Sequence, residues 1–314
     1  MILPYTLRLV CLCLASFFLA HAALALAARC LAPIALRFAE RLSARSAARL
    51  LLALRLFPAA TALAAVAGLC VPSYLSLEQE GGSEFVGLTC VAAATFGAAI
   101  WTISWARSLR AAIRSHRYVR QCRRDGSVWI ADGAAPFLGI AGILRPKLIV
   151  SRSVADALNR DQLAAAIRHE RAHQRSADNL KRLLLLLAPD ALPFLRGFAA
   201  VERAWLRFTE WSADDRAVSA DAACSLSLAE ALVRVARLGA AAPASPLMSH
   251  FVAASVDISV RVNRLLSPTI EAAAPKPGRI ALGGAVVALP AVILLMAQPS
   301  TQRSVHELLE RLMH

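Results

Sequence analysis

The chain has 314 residues, of which 58% are hydrophobic and only 18% charged, and its formal charge is +14 at pH 7. Soluble domains run at about 45–50% apolar and about 25% charged residues, so a single water-soluble globule does not fit. A disordered chain is excluded, because this much apolar surface could not stay solvated. The mean hydropathy of +0.54 is that of a membrane protein carrying one polar domain.

Four stretches reach the roughly 20 apolar residues needed to cross a hydrocarbon core: 9–28, 56–74, 85–106 and 280–298. Their connections alternate in charge. The first holds Arg29, Arg37, Arg41, Arg45 and Arg49 against only Glu40. The second holds Glu78, Glu80 and Glu84 with no Lys or Arg, and the third span is followed by Arg107, Arg110, Arg114, Arg117, Arg120, Arg123 and Arg124. The positive-inside rule then puts the N-terminus outside, residues 107–279 in the cytoplasm and the short tail 299–314 outside. The alternative for residues 1–28 is a cleaved signal peptide, but cleavage would leave the Arg-rich 29–49 stretch outside, against that rule.

The excess of 35 Lys and Arg over 21 Asp and Glu thus reads as membrane topology. No basic module interleaved with aromatics is present, so the expected partner is the lipid bilayer and no direct nucleic-acid binding is expected. His21, inside the first span, reads as packed against another helix. The seven cysteines (Cys11, Cys13, Cys30, Cys70, Cys90, Cys122 and Cys224) are odd in number and form no C-x-x-C pair. They support neither a disulfide framework nor a thiolate metal site.

Within the cytoplasmic segment, 107–126 reads as a basic helix leaving the membrane. Residues 127–131, 136–142 and 146–150 read as three short strands separated by turn signals. A helix then starts at Asn159, with Gln162 placed for a capping box and Asp161 in the first turn. Another helix, 180–187, starts at Asp178-Asn179 and is ended by Pro189. The apolar run 183–200 is interrupted by Pro189, Asp190, Pro193 and Arg196, so it reads as a helix–turn unit lying on the bilayer. Ala/Pro-rich linkers are expected at 240–246 and 272–277.

The first of these helices carries His169-Glu170-Arg171-Ala172-His173, an H-E-x-x-H motif. Residues four apart share a helix face, so two imidazoles can reach one Zn2+ while Glu170 serves as general base for the metal-bound water. With this composition the motif arises by chance about 0.005 times per chain. A catalytic zinc site needs a third protein ligand. Glu210-Trp-Ser-Ala-Asp214 supplies it: Glu210 as ligand, and Asp214, four residues on, as acceptor for the second nitrogen of a ligand histidine.

His169–His173, Asp178 with the apolar hairpin, and Glu210–Asp214 together resemble the gluzincin metallopeptidases, and most closely the BlaR/MecR membrane peptidases, family fifty-six of the metallopeptidases. The resemblance extends to the order of three spans, a cytoplasmic zincin domain and one more span. It implies a bacterial inner-membrane protein, one Zn2+ per chain, and cleavage of a protein substrate, either a cytosolic transcriptional repressor or the chain itself, in regulated signalling. It also implies that 127–150 forms an edge-strand region where an extended substrate pairs. Ser249-His250 and Arg261-Val-Asn-Arg-Leu265 resemble an element near the end of related zincin domains, in which His250 would stabilise an oxyanion and Arg261 would brace the site. BlaR and MecR place a large penicillin-binding sensor after the last span. Only residues 299–314 stand there in this sequence, so β-lactam sensing is not expected of it.

The expected fold is therefore mainly α: multi-pass transmembrane helices plus a cytoplasmic α+β gluzincin domain, 107–279, with a small sheet. An HtpX-like quality-control protease and a non-catalytic signalling scaffold with a retained zinc site are the alternatives. The topology is testable with a reporter active only outside the cytoplasm. Fused after Gly81 it should be active, and fused after Gly133 it should be silent. The reverse pattern would refute the charge argument.

Overall fold

In a computed structural model, the structure describes residues 3–78, 85–126, 128–133, 135–191, 197–219, 221–239, 245–252, 257–267 and 298–313. Three long helices open the chain: α1 (Tyr5–Ala39), α2 (Ala44–Ala65) and α4 (Leu88–Arg120). A π-turn, Val66–Cys70, joins α2 to α3 (Val71–Leu77), so 44–77 is one long helical run. All three runs are long and apolar enough to cross a membrane; the first two contain the expected spans 9–28 and 56–74, and the third covers 85–106 from Leu88 onward. The fourth, 280–298, lies almost wholly outside the described residues.

The helices approach closely because small residues face inward, as is usual where lipid offers no hydrophobic drive for association. Ala15, Cys90, Ala93 and Ala94 lie in the bundle interior. A Cβ on Gly97 would meet the carbonyl oxygen of Leu14 at 2.5 Å. Large apolar residues instead point outward, among them Leu19, Leu26, Phe96, Ile103 and Leu109. In water such a belt would be an aggregation surface; against lipid it is the matching one.

The spans continue past their apolar stretches into the second half of the molecule. Helix α8 (Gly197–Val218) packs on α1 and α2, with Val201, Trp205 and Phe208 against Ala32, Ala39, Ala47 and Leu51. The 188–202 region is also tied to the spans by polar contacts. His21 Nε2 lies 3.1 Å from the carbonyl oxygen of Pro189, Arg29 pairs with Asp190 at 2.5 Å, and Arg55 pairs with Glu202 at 2.7 Å. His21 is thus packed, as expected, against a neighbouring span at Pro58 of α2, and also against the turn after α7 (Asp178–Leu187).

The sheet has four strands, β1 (Arg123–Asp125), β2 (Val128–Ala131), β3 (Leu138–Ala141) and β4 (Lys147–Ser151), in the order β1-β2-β4-β3. The β2–β4 pair is parallel and the other two are antiparallel. This corrects the three-strand expectation: the basic helix stops at Arg120, and exposed Arg123–Asp125 pairs with β2. Those three residues carry no apolar alternation, so only the partner strand makes them a strand. Buried β4, with Leu148, Ile149 and Val150, reads as a core strand and is one.

Helices α5 (Arg152–Ala157), α6 (Arg160–Arg175), α7, α8, α9 (Ala222–Arg237) and α10 (Ile258–Leu266) surround the sheet, and α11 (Pro299–Met313) packs on α3. The core joins Leu138, Ile140, Val150 and Val154 to Ala165, Ala166, Leu228, Leu232 and Phe251. The expected capping box forms at α6, with Gln162 N–H donating to Asn159 at 2.9 Å and Asn159 N–H to Gln162 at 3.2 Å.

The free edge of β3 is occupied by the chain itself. Ser249 N–H donates to the Ile140 carbonyl at 3.0 Å and Phe251 N–H to the Leu138 carbonyl at 2.9 Å. The Ser249 hydroxyl accepts the Ile140 N–H at 2.9 Å. Gly139 permits this approach, since a Cβ there would stand 2.1 Å from the Ser249 carbonyl oxygen. Gly139→Ala should therefore push 249–251 off the strand, with a loss of about 1–3 kcal/mol as for other overpacked sites. Limited proteolysis of the purified chain should then cut between 245 and 252 faster than in wild type. An unchanged cleavage map would contradict the pairing.

Candidate metal centre

Helices α6 and α8 pack face to face, and each presents two chemistry-bearing residues four apart. On α6 the inward face is Gln162, Ala165, Ala166, His169, Glu170, Ala172 and His173. On α8, Glu210 and Asp214 are each about 1% exposed, while Asp215 is turned to solvent and paired with Arg264 at 2.6 Å.

The two Nε2 atoms of His169 and His173 stand 3.1 Å apart. Glu210 closes the triangle, with Oε2 at 3.4 Å from His169 and Oε1 at 3.6 Å from His173. These are the edges of a tetrahedron around a small cation: ligand bonds of roughly 2.0–2.1 Å put donors about 3.3 Å apart. The three side chains form a buried group able to hold a metal ion.

The remote nitrogens point to carboxylates. His173 Nδ1 lies 2.8 Å from Asp178 Oδ2, and His169 Nδ1 lies 2.9 Å from Asp214 Oδ1, the latter off-line for a hydrogen bond. With the protons on Nδ1, both Nε2 lone pairs face the centre, as ligation requires. Asp214 receives a two-pronged contact from Arg261, Nη2 to Oδ1 at 2.6 Å and Nε to Oδ2 at 2.9 Å. The same guanidinium reaches Glu210 at 3.2 Å and the Phe251 carbonyl at 2.9 Å. Arg261 thus sits where a brace should.

Charge supports the same reading. Glu170, Asp178, Glu210 and Asp214 are all buried carboxylates. Their close cations are Arg261 and Lys181, the latter 2.6 Å from Asp178 Oδ1, while Arg182 stands off at 3.9 Å from Glu210. Burial works against a charged His173, yet Glu210 and Asp178 outweigh it and push the imidazole up to about 10. Burial likewise opposes ionisation of Glu210, but His173, His169 and Arg261 hold its carboxyl well below the usual range. The field at the two Nε2 atoms therefore attracts a cation. Among the described residues neither Glu210 oxygen accepts an in-line hydrogen bond; Arg261 at 3.2 Å from Oε2 neutralises the carboxylate while both oxygens still face the two imidazoles.

Glu170, fully buried, accepts a hydrogen bond from the Ser249 hydroxyl at 2.9 Å. Burial pushes its carboxyl up, the direction a general base needs. His250 is buried, with Nδ1 accepting the Val252 N–H at 3.1 Å and its ring edge-on to Phe137 at 5.0 Å. Its Nε2 has no partner among the described residues.

Two contacts were not foreseen from sequence. Asp178 follows the motif by five residues, and sequence reading gives it a helix start and a place in the resemblance but no contact with His173. Ala177, at φ 53°, makes the turn that brings it back under His173. Ser249 reaches Glu170 across 79 positions, which no local pattern signals. No protein-family model matches the chain, and no curated protein or solved structure is significantly similar to it.

The geometry ranks the carboxylates. Glu210→Ala removes a ligand atom and should cost most metal affinity. Asp178→Ala and Asp214→Ala should each cost about 10–100-fold, as losses of a histidine's outer partner do. Asp215→Ala should be nearly silent. Titration of the four purified variants with zinc tests the order, and a silent Glu210→Ala would show the third ligand to be misassigned.

Proposed function

We propose that the chain is a membrane-embedded zinc endopeptidase of the gluzincin type, with its active site on the cytoplasmic side of a bacterial inner membrane. The observation that carries this is the convergence of His169, His173 and Glu210 on one point, with Glu170 buried beside them. Two imidazoles and a carboxylate suit Zn2+, and this set is used in zinc hydrolases that keep the fourth position for water. A purely structural site does not need a base at Glu170. The zinc ion, when bound, supplies an acidified water and polarises the substrate carbonyl.

The residues of this chain have defined roles in such a reaction. Glu170 takes the proton from the attacking water and returns it to the leaving amine. Asp178 and Asp214 hold the two imidazoles in the ligating tautomer. Arg261 keeps Asp214 and Glu210 ionised in a buried site, and His250 Nε2 is the candidate donor for the oxyanion.

An extended substrate would lie along β3, close to Glu170. That edge is held by Ser249 and Phe251, in antiparallel sense. A protein substrate, such as a repressor, must displace this segment, or the segment is itself the first bond cut. Both outcomes are regulated proteolysis, in agreement with the BlaR/MecR resemblance.

The test is Glu170→Gln in the full chain. It should keep zinc near one per chain, because all ligands remain, and abolish cleavage. Mass spectrometry of cells expressing wild type or variant should reveal a peptide bond, in a cellular protein or within 245–252, cut only by wild type. Equal cleavage in both would overturn the assignment.

A further inference from the structure

A second polar cleft lies beside the metal centre, between the start of α2, the end of α6, the start of α7 and the middle of α8. Its volume is about 220 Å3, enough for a small anion or a headgroup and too small for most drug-sized ligands. Five cations line it: Arg45, Arg49, Arg175, Lys181 and Arg216. Among the described residues, the one carboxylate on its wall is Asp178, which already holds His173 and Lys181. Among the described residues, no carboxylate lies within ion-pairing distance of Arg45, Arg49, Arg175 or Arg216.

Arg216 is held toward the cleft by neutral acceptors. One nitrogen reaches the Ser176 hydroxyl, and the other the Ser212 hydroxyl at 3.4 Å. Burial, and next the charge of Arg45, make this guanidinium easier to deprotonate than usual. Cations crowded in a concave polar site repel one another unless an anion joins them, and arginine forks match phosphate oxygens in geometry as well as charge.

The position narrows the ligand. Arg45 and Arg49 are one turn apart at the very start of a helical run long enough to cross the bilayer. They precede the apolar stretch 56–74 by seven to eleven residues, about 10–16 Å of helix, on the Arg-rich flank where juxtamembrane basic residues meet anionic lipid. We propose that this cleft binds a phosphate ester, presented by the headgroup of an anionic phospholipid. The site does not rest on the metal reading, since none of its cations is a metal ligand. It adjoins the centre through Lys181, which shares Asp178 with the ligand His173.

The test uses the purified full chain in neutral detergent, with native mass spectrometry as readout and phosphatidylglycerol, phosphatidylcholine and inorganic phosphate as probes. Wild type should retain phosphatidylglycerol and release phosphatidylcholine. Arg45→Gln/Arg49→Gln should weaken phosphatidylglycerol binding by about 25-fold, the typical effect of two basic groups at an anionic surface. Both side chains are exposed, so the variant should fold, as an unchanged melting temperature would show. Arg175→Gln should act in the same direction, and Arg237→Gln, on the outer face of α9, should change nothing. Inorganic phosphate that competes with the lipid supports recognition of the phosphate itself. Binding of inorganic phosphate that needs Arg45 and Arg49, without binding of phosphatidylglycerol, overturns the lipid source. Equal retention of every probe by wild type and both cleft variants overturns the site.

Discussion

Burying several carboxylates and imidazoles together is unfavourable unless positive charge and hydrogen bonds compensate them. The centre between α6 and α8 is arranged around that constraint. Arg261, delivered from α10, spans Asp214, Glu210 and the backbone of Phe251. Lys181 covers the outer oxygen of Asp178. The ligand-type atoms that converge are the two Nε2 atoms and the Glu210 carboxylate, which Arg261 touches at one oxygen only. A divalent cation at that point completes the compensation, so metal binding and folding of this region are expected to be linked.

The same arrangement explains why the spans and the site form one structure. Glu210 is on the helix whose other end packs on α1 and α2 through Val201, Trp205 and Phe208. Arg29 and Arg55, each at an end of an apolar stretch, hold Asp190 and Glu202 and flank the Phe198 ring at 4.2 and 4.8 Å. A tilt or shift of α1 against α2 would therefore move α8, and with it the third ligand. On the other side, Ser245 bonds the Ala111 carbonyl of α4 at 2.7 Å, only four residues before the serine that faces Glu170. Both walls of the site are thus anchored on membrane-length helices.

What could be read from sequence follows the range of the interactions involved. The two four-residue spacings, His169–His173 and Glu210–Asp214, are local helix geometry and needed only the helices to meet. The Asn159–Gln162 capping box is equally local and forms as read. The apolar spans are compositional, and three of them appear as long helices. Arg123–Asp125 escaped because a strand made of exposed charged residues exists only through its partner. The closure of β3 by 249–251, and the contact between Ser249 and Glu170, depend on a return of the chain over about a hundred residues that periodicity does not encode. Arg261 was placed by resemblance, and its contacts with Asp214 and Glu210 give that placement a physical reason.

The central claim is a metal ion held by two imidazoles and one carboxylate, with no sulfur. X-ray absorption at the zinc edge, recorded on the purified full chain, tests it most directly. The account predicts a first shell of nitrogen and oxygen at about 2.0–2.1 Å, with the outer-shell scattering of two imidazole rings, reduced to one ring in His173→Ala. A shell containing sulfur at about 2.3 Å, or a spectrum unchanged by that substitution, would contradict it.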